Sequence, residues 1–390
     1  MPPLVGSANL PSLQQWLAGH LTRWRDALEE LVRCQSPSGD LAALGDCARR
    51  AEGLFETQTT GAVSELLEDG GVPSLLLRWK GAGGPSVLLL GHLDTVWDVN
   101  SFEPLFGLSQ GRVVGPGVFD MKGGIVVALA AVAALQERPG RGGGLTVLLT
   151  GDEEVGSGRS RALIETEARA AAAVLVLEPP VGEAIKVARK GVGGYRISVK
   201  GRAAHAGLEP ERGVNSLVGI APLVAKIAGL GRPDLGTTVS PTRLRAGTRT
   251  NVIPAEAALE VDVRFATTAE ASRVDLEMHQ LRVDLPGAEL EVSGGANRPP
   301  FERSSAARLF RLAEMTAVEL GWPRLEGAVA GGGSDGNFTA ALGVPTLDGL
   351  GIVGGNAHAE GEWADLNSLP RRAALLAGLV EKIWGGGWSD

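Results

Sequence analysis

Cysteine is scarce in this sequence, since only Cys34 and Cys47 occur among 390 residues. A reducing compartment would keep both as thiols, and we interpret them as small buried side chains rather than as metal ligands or redox groups. Blocks of basic residues are also missing, and the net charge of −8 is spread along the chain. This charge pattern argues against binding to nucleic acid or to a membrane surface, and it favours peptide or small-molecule substrates.

Long apolar runs are absent as well, because no segment reaches the ~20 uninterrupted apolar residues that cross a bilayer. The first forty residues lack the charged start and apolar core of a signal peptide. Leucines and tryptophans recur there at helical spacing from Leu10 to Leu31, which predicts an amphipathic helix. We therefore expect a cytoplasmic protein. No Gly-x-Gly-x-x-Gly opens a helix after the first strand, which argues against a dinucleotide-binding enzyme.

The length and element order predict two domains, since a single core stops growing near ~250–300 residues. Apolar strands alternate with helices, including 122–136 and 157–170, which predicts an α/β fold with a mostly parallel sheet flanked by helices. Between these parts the order changes to β-α-β-β-α-β, the ferredoxin-like unit. We predict one domain from residues 1–190 and 301–390, interrupted by an inserted domain at 191–300.

Within the inserted domain, the second predicted helix has a recognisable start. Thr267 is followed three residues later by Glu270. A hydroxyl residue with a glutamate at this spacing is typical of a capping box, in which the two side chains satisfy each other's backbone N–H groups. The pattern predicts that the helix begins at Thr267.

Polar side chains follow three of the apolar strands. His92 comes directly after the strand 86–90, Glu153 and Glu154 follow the strand 145–149, and Glu178 follows the strand 173–177. Sheets of this kind carry their chemistry in the loops beyond the carboxyl ends of the strands. We therefore expect these side chains to lie close together although they are distant in sequence.

Two further candidates lie in glycine-flanked loops, Asp120 and His358. With them the chain offers two imidazoles and three carboxylates, which is a suitable ligand set for two divalent ions: His92, Asp120, Glu154, Glu178 and His358. Glu153 stands beside one of these ligands with no structural role evident from the sequence, as a general base requires. The pattern indicates a metal-dependent hydrolase.

Each motif also has a structural interpretation when it is taken alone. His92 and Asp94 could form a surface polar pair, although on extended backbone they share a face, so Asp94 could also accept the second ring N–H of a metal-bound His92. Asp120 could cap the following helix. The acids at 152–154, Glu178 and His358 could all be solvated loop residues. Independent structural explanations for every motif together are improbable.

The motifs also resemble a known family over nearly the whole chain. The runs GHLDTV (91–96), GPGVFDMKGG (115–124), DEEVGS (152–157), LEP (177–179), GRAAHAG (201–207), NVIP (251–254) with DVR (262–264), and GGGSDG (331–336) precede the late His358. Their order and spacing resemble the dinuclear zinc exopeptidases that include glutamate carboxypeptidase, succinyl-diaminopimelate desuccinylase, acetylornithine deacetylase and aminoacylase. The likeness is strongest to the folate-cleaving glutamate carboxypeptidases.

This resemblance implies a role for each residue of the predicted site. His92 and Glu178 would hold one zinc ion, Glu154 and His358 the other, and Asp120 would bridge the two. Asp94 would lie behind the ligands, and Glu153 would be the base. The family also has a cis peptide bond after its bridging aspartate, here between Asp120 and Met121. Cobalt or manganese could replace zinc, because similar ligand sets take several divalent ions.

The resemblance also assigns residues of the inserted domain, which would serve as a lid and as the interface of a homodimer. His205 would polarise the scissile carbonyl, reaching over from a partner subunit. Asn251 and Arg264, expected on adjacent strands, would bind a substrate carboxylate or carbonyl, for which the planar fork of arginine is suited. A salt bridge from Arg264 to Asp262 or Glu260 is the competing structural role.

The expected function is therefore that of a metallo-carboxypeptidase that releases a C-terminal amino acid. A metal-bound hydroxide would attack the amide, with Glu153 as general base. An N-acyl amino acid deacylase of the acetylornithine deacetylase, desuccinylase or aminoacylase type is the nearer alternative, with a small N-acyl amino acid as substrate. A non-catalytic binding protein on the same fold is the more distant one.

Overall fold

The computed structural model of the protein describes residues 10–68, 71–138 and 142–386. The chain divides into two compact units. The first is made from Met1–Ala188, Arg303–Ala330 and Ser334–Asp390, and the second from Arg189–Glu302 and Gly331–Gly333.

The helices and strands follow in chain order. The helices are α1 (Leu10–Gly19), α2 (Leu21–Arg33), α3 (Leu41–Gln58), α4 (Gly123–Gln136), α5 (Arg161–Ala170), α6 (Ser216–Ala228), α7 (Thr268–His279), α8 (Arg303–Glu319), α9 (Gly336–Ala341) and α10 (Leu369–Trp384). The strands are β1 (Ala62–Leu67), β2 (Ser74–Trp79), β3 (Val87–His92), β4 (Gly107–Ser109), β5 (Arg112–Val114), β6 (Leu145–Thr150), β7 (Ala173–Val176), β8 (Ile185–Arg189), β9 (Gly191–Lys200), β10 (Ala204–His205), β11 (Thr238–Ala246), β12 (Val252–Ile253), β13 (Glu256–Phe265), β14 (Glu289–Arg298), β15 (Gly327–Ala330), β16 (Thr346–Leu347), β17 (Gly354–Gly355) and β18 (Trp363–Asp365).

The first unit is built on a six-stranded sheet in the order β1-β2-β6-β3-β7-β16. Strands β6, β3, β7 and β16 run parallel to one another, whereas β2 pairs antiparallel with β6 and β1 antiparallel with β2 at one edge. All residues of β3 and β7 are buried, as expected for central strands covered on both faces. The α/β fold with a mostly parallel sheet and flanking helices is therefore confirmed.

Helix α4 lies inside the first unit and is buried on almost every side. The segment Val118–Gln136, with a mean hydropathy of 1.9, is long and apolar enough to cross a bilayer, and it is the one such segment in the described part of the chain. Yet 94% of it is buried inside the protein. A helix enclosed by a protein core needs the same apolar composition, so this segment is weak evidence for a membrane span.

The N-terminal amphipathic pattern forms two helices instead of the expected one. Helix α1 ends at Gly19, and α2 begins at Leu21 after His20, whose φ of −108° and ψ of 18° are not helical. The break is stabilised because the indole N–H of Trp24 donates to the carbonyl oxygen of Leu17, at 3.0 Å. The apolar periodicity continues across His20, so the sequence pattern could not reveal the break between the two helices.

The second unit contains the predicted β-α-β-β-α-β order in β9, α6, β11, β13, α7 and β14. The strands form an antiparallel sheet in the order β11-β13-β9-β14, which confirms the ferredoxin-like prediction. The two ends of this unit lie side by side. Arg189 N–H donates to Phe301 O at 2.9 Å, and Phe301 N–H donates to Arg189 O at 3.0 Å.

The predicted capping box at the start of α7 is only half formed. The Thr267 hydroxyl accepts the Glu270 N–H at 3.3 Å, which caps the helix as predicted. The Glu270 carboxylate does not return to Thr267, because it binds Arg273 and accepts a hydrogen bond from the Thr237 hydroxyl at 2.7 Å. These hydrogen bonds lower the pKa of Glu270 to about 2, and the bond from Arg273 has the largest effect.

The close approach of α4 to the sheet gives a test of the fold. Alanine normally stabilises a helix interior relative to glycine by about 1 kcal/mol. At Gly124 in α4, however, a Cβ atom would collide with the backbone carbonyl of Leu177, the residue before Glu178. We expect Gly124→Ala to lower the free energy of unfolding by about 1–3 kcal/mol, as overpacking does.

The matched control is Gly53→Ala in α3, where a Cβ atom would meet no atom within 4 Å. This variant should be as stable as the parent protein or slightly more stable. Urea unfolding of both variants measures the difference. A Gly124→Ala protein as stable as Gly53→Ala would contradict the tight packing of α4 against the end of β7.

Candidate metal centre

The carboxyl ends of neighbouring parallel strands bring the predicted site together. His92 is the last residue of β3, Glu178 follows β7, and Glu153 and Glu154 form a 3-10 turn after β6. Strand β3 lies between β6 and β7, so all of these side chains emerge at one edge of the sheet. Asp120 lies in the loop before α4, and His358 lies between β17 and β18.

Asp120 faces both imidazoles, one with each carboxylate oxygen. Its Oδ1 is 3.4 Å from His92 Nε2, and its Oδ2 is 3.3 Å from His358 Nε2. On the outer sides, Glu178 Oε1 is 3.5 Å from His92 Nε2, and Glu154 Oε2 is 3.1 Å from His358 Nε2. The arrangement has the approximate symmetry of two ion sites that share one carboxylate.

Two atoms at the centre lack hydrogen-bond partners. His92 Nε2 and Asp120 Oδ1 are buried without one, although an unpaired buried polar atom is costly. Donor atoms of His92, Asp120 and Glu154 lie within 4.8 Å of one another, and so do those of His92, Glu153 and Glu178. Imidazole nitrogens and carboxylate oxygens at such spacing are the ligands that zinc and similar divalent ions take. The residues present therefore fit a metal centre.

The electrostatics of the cluster favour positive charge at its centre. Hydrogen bonds to Asp120 and Glu154 raise the pKa of His358 to about 10. Burial would lower the pKa of His92, but the surrounding carboxylates of Asp120, Asp94 and Glu178 outweigh it and hold that pKa well above its ordinary value. Burial raises the pKa of Glu154, against the influence of His358. Bound cations would supply the charge that protons otherwise bring.

Asp94 contacts His92 through both its main chain and its side chain. The ring Nδ1 of His92 lies 2.9 Å from the carbonyl oxygen of Asp94, closer than the 3.4 Å to its carboxylate. The carboxylate accepts the backbone N–H groups of Glu153 and Glu154, at 3.1 Å each, and the hydroxyl of Ser38 at 2.7 Å. The backbone of Asp94 thus orients the imidazole, and its side chain holds the acidic loop.

The acidic loop is supported by Asp335, for which no role was predicted from the sequence. Asp335 accepts hydrogen bonds from the hydroxyls of Thr150, at 3.2 Å, and Ser157. Ser157 has a φ of +54°, which is not helical, so α5 begins at Arg161 and not at the predicted 157. Asp335 belongs to the glycine-rich run 331–336, whose composition alone did not indicate such a support.

Glu362 was also missed by the sequence reasoning. Its buried carboxylate accepts the backbone N–H groups of Gly117, Phe119 and Asp120 and the indole N–H of Trp97. The peptide bond between Asp120 and Met121 in this loop is cis, as the resemblance implies. A single glutamate in a glycine-rich turn carries no sequence pattern that could have predicted these contacts.

The remaining candidates, His205, Asn251 and Arg264, belong to the second unit. His205 Nδ1 accepts the N–H groups of Gly207 and Leu208 at 3.1 Å each, so in the neutral ring the proton is on Nε2. The carbonyl oxygen of Asn251 accepts the N–H of Ala206 at 2.9 Å, which places Asn251 beside the His205 segment.

Arg264 makes the salt bridge that was considered as its structural role. Its Nε and Nη2 donate to the two carboxylate oxygens of Asp262 at 2.9 and 2.8 Å. Asn251 and Arg264 are not on adjacent strands, contrary to expectation. Asn251 precedes β12, which pairs with β10 in a separate two-stranded sheet, whereas Arg264 lies on β13 of the four-stranded sheet.

Comparison with known proteins agrees with this geometry. Residues 88–382 match the model of peptidase family M20/M25/M40. Carboxypeptidase G2 from Pseudomonas sp. (strain RS-16) is 31% identical over 371 residues, covering 92% of this chain and 89% of that protein. Succinyl-diaminopimelate desuccinylase from Bordetella avium (strain 197N) is 30% identical over 334 residues, covering 79% of this chain and 86% of that protein.

A solved structure shares the fold. The YXEP protein of Bacillus subtilis, described as a dinuclear metal binding peptidase from the M20 family, superposes with a TM-score of 0.70 at 17% identity, covering 94% of this chain and 99% of that chain. The family match spans most of the sequence. The chain belongs to peptidase family M20/M25/M40.

Proposed function

We propose that this member of the family is a metallo-carboxypeptidase that releases a C-terminal amino acid from a small peptide. The observation that carries the proposal is the central carboxylate of Asp120, which presents one oxygen to each of two imidazoles. The similarity to carboxypeptidase G2 across 92% of the chain supports the substrate class.

In this proposal His92 and Glu178 would hold one divalent ion, Glu154 and His358 would hold the other, and the carboxylate of Asp120 would contribute to both. Zinc is the proposed ion, and cobalt or manganese are possible replacements. When bound, such ions supply Lewis acidity that polarises a carbonyl group and lowers the pKa of a water molecule.

Glu153 is the proposed general base. It is only 7% exposed, and one of its carboxylate oxygens lies within 4.8 Å of donor atoms of both His92 and Glu178. Its backbone N–H is fixed by Asp94 at 3.1 Å, which limits the positions that its side chain can take. Glu153 would accept the proton of the attacking water and pass it to the amine that leaves.

His205 and Arg264 have proposed roles in substrate binding. The Nε2–H tautomer of His205 is the form that can donate a hydrogen bond to an oxyanion. Arg264 would bind the α-carboxylate of the leaving residue and would then exchange its partner Asp262 for the substrate, with Asn251 contributing a further polar group. Homodimer formation through the second unit and a cytoplasmic location remain predictions.

The second candidate function is N-acyl amino acid deacylation. The similarity to a succinyl-diaminopimelate desuccinylase, at 30% identity over 79% of the chain, favours it. The proposed chemistry is the same in both cases, because an amide bond is hydrolysed beside a carboxylate. The two functions differ in whether the amine product comes from a peptide or from an acylated amino acid.

A substrate panel tests this assignment. Zinc-reconstituted protein should hydrolyse dipeptides that end in Glu, Ala or Leu with a kcat/KM at least about tenfold above that for N-acetyl and N-succinyl amino acids, a difference of roughly 1.4 kcal/mol in transition-state binding. Product release is measured by chromatography. The reverse order would assign the protein as a deacylase, and bound metal without any hydrolysis would indicate a binding protein.

Replacement of the proposed base gives a second test. Glu153→Gln keeps the size of the side chain but removes its ability to take a proton, so kcat should fall by about 10²–10⁴-fold. Metal content, measured by mass spectrometry, should remain at two ions. Glu52→Gln, at a half-buried position of α3, is the matched control with unchanged kcat. An active, metal-loaded Glu153→Gln protein would refute the assignment.

A third test concerns Arg264. Loss of a charged hydrogen-bond pair should raise KM for carboxylate-bearing substrates by about 10- to 100-fold in Arg264→Ala, with little change for peptides whose C-terminus is amidated. Arg243→Ala is the control. Like Arg264, Arg243 forms an ion pair with an acid, in its case Glu260 on the neighbouring strand β13, at 2.9 Å. Equal effects of both variants, or equal loss with amidated peptides, would leave Arg264 only its salt bridge with Asp262.

A further inference from the structure

We infer that Glu362 is a positioning residue, which fixes Asp120 relative to His358 and thereby sets the affinity of the metal centre. The inference rests on the proposed metal ligands. It adds a residue that touches neither ion nor substrate and acts through the backbone of the Asp120 loop.

The contacts of Glu362 converge on one loop. Its Oε1 accepts the N–H groups of Phe119 at 2.9 Å and Asp120 at 3.0 Å. Its Oε2 accepts the N–H of Gly117 at 3.0 Å and the indole N–H of Trp97 at 2.7 Å. Glu362 is 1% exposed, so water cannot replace these bonds. The backbone N–H of Asp120 itself is therefore anchored to this side chain.

The main chain around Glu362 is attached to the same loop. The N–H of Gly115 donates to the carbonyl oxygen of Glu362 at 3.3 Å, and Trp363 pairs with Val114 where β18 meets β5. Side chain and backbone of residues 362–363 thus hold the stretch from Val114 to Asp120. Since His358 lies only four residues earlier, this connection joins the segment of one imidazole to the loop of the carboxylate between the imidazoles.

The chemistry of the site requires a carboxylate at position 362. Four N–H groups point at two oxygens, and an ionised carboxylate offers acceptors only. An amide of the same shape would place an NH₂ group against two of these donors.

Trp97 links Glu362 to the loop that follows His92, the third of the proposed ligands. It follows His92 by five residues in the loop after β3, and its indole N–H donates to the Glu362 carboxylate at 2.7 Å. Glu362 therefore contacts the loop after the first imidazole, the loop of Asp120 and the segment of His358. These are the parts of the chain that must be aligned for two ions to share Asp120.

Glu362→Gln tests the inference without a change in side-chain size. We expect Zn²⁺ affinity of at least one of the two sites to fall by about 10- to 100-fold, the effect typical of groups that hold ligands in place. Affinity is measured on metal-free protein by competition with a chromophoric chelator. The absorption spectrum of the Co²⁺-loaded protein reports on the geometry of the ions, and thermal unfolding of the metal-free protein reports on the fold.

Glu381→Gln is the matched control. Glu381 is a half-buried acid of α10 that pairs with Arg138 at 2.6 Å and has no contact with the Asp120 loop. This variant should lose some stability while its Zn²⁺ affinity and Co²⁺ spectrum stay as in the parent protein. A purely structural Glu362 would behave in the same way.

The outcomes separate the inference from the proposed function. Parent protein that binds no divalent ion would overturn the metal centre itself. If the parent binds two ions, and Glu362→Gln binds both with unchanged affinity and spectrum, only the positioning role is wrong. Should Glu362→Gln fail to fold, Glu362→Asp decides, because it keeps the charge but shortens the reach. Weaker Zn²⁺ binding by folded Glu362→Asp supports the role, and unchanged binding refutes it.

Discussion

Mutual repulsion among buried carboxylates is the constraint on which this structure depends. Asp120, Glu153, Glu154 and Glu178 gather around His92 at one sheet edge, where partial burial strengthens every charge interaction. Such a cluster persists only if the backbone forces the side chains together and positive charge lies among them. Hydrogen bonds to Asp120 and Glu154 accordingly raise the pKa of His358, to about 10.

Two further carboxylates, those of Asp94 and Glu362, hold the loops of the cluster in place by accepting hydrogen bonds from backbone N–H groups. The Asp94 carboxylate binds two N–H groups of the acidic loop, and the Glu362 carboxylate binds three of the Asp120 loop. Asp94 and Glu362 are further buried acids, but backbone N–H groups donate hydrogen bonds to their carboxylates and so stabilise the negative charge. Among the carboxylates of the candidate site, Asp120 Oδ1 is buried without a hydrogen-bond partner.

Much of the fold and the convergence of the ligand candidates could be predicted from the sequence, because both depend on periodic patterns. Buried strands are apolar throughout, and their carboxyl ends share an edge, so His92, Glu154 and Glu178 could be placed together. Hydrogen-bond partners within loops follow no such period. The carbonyl contact of Asp94, the support from Asp335 and the role of Glu362 depend on loop conformations such as the φ of +54° at Ser157. The break between α1 and α2 was hidden because both helices bury one continuous stripe.

The paired ends of the second unit have an evolutionary consequence. Arg189 and Phe301 exchange both backbone hydrogen bonds, so the chain leaves and returns at a single point. If the second unit were removed, a short turn could join Arg189 to Phe301 with little entropic cost. The strands of the six-stranded sheet would keep their connections. Loss or exchange of the intervening segment would therefore leave the strand order of the six-stranded sheet unchanged.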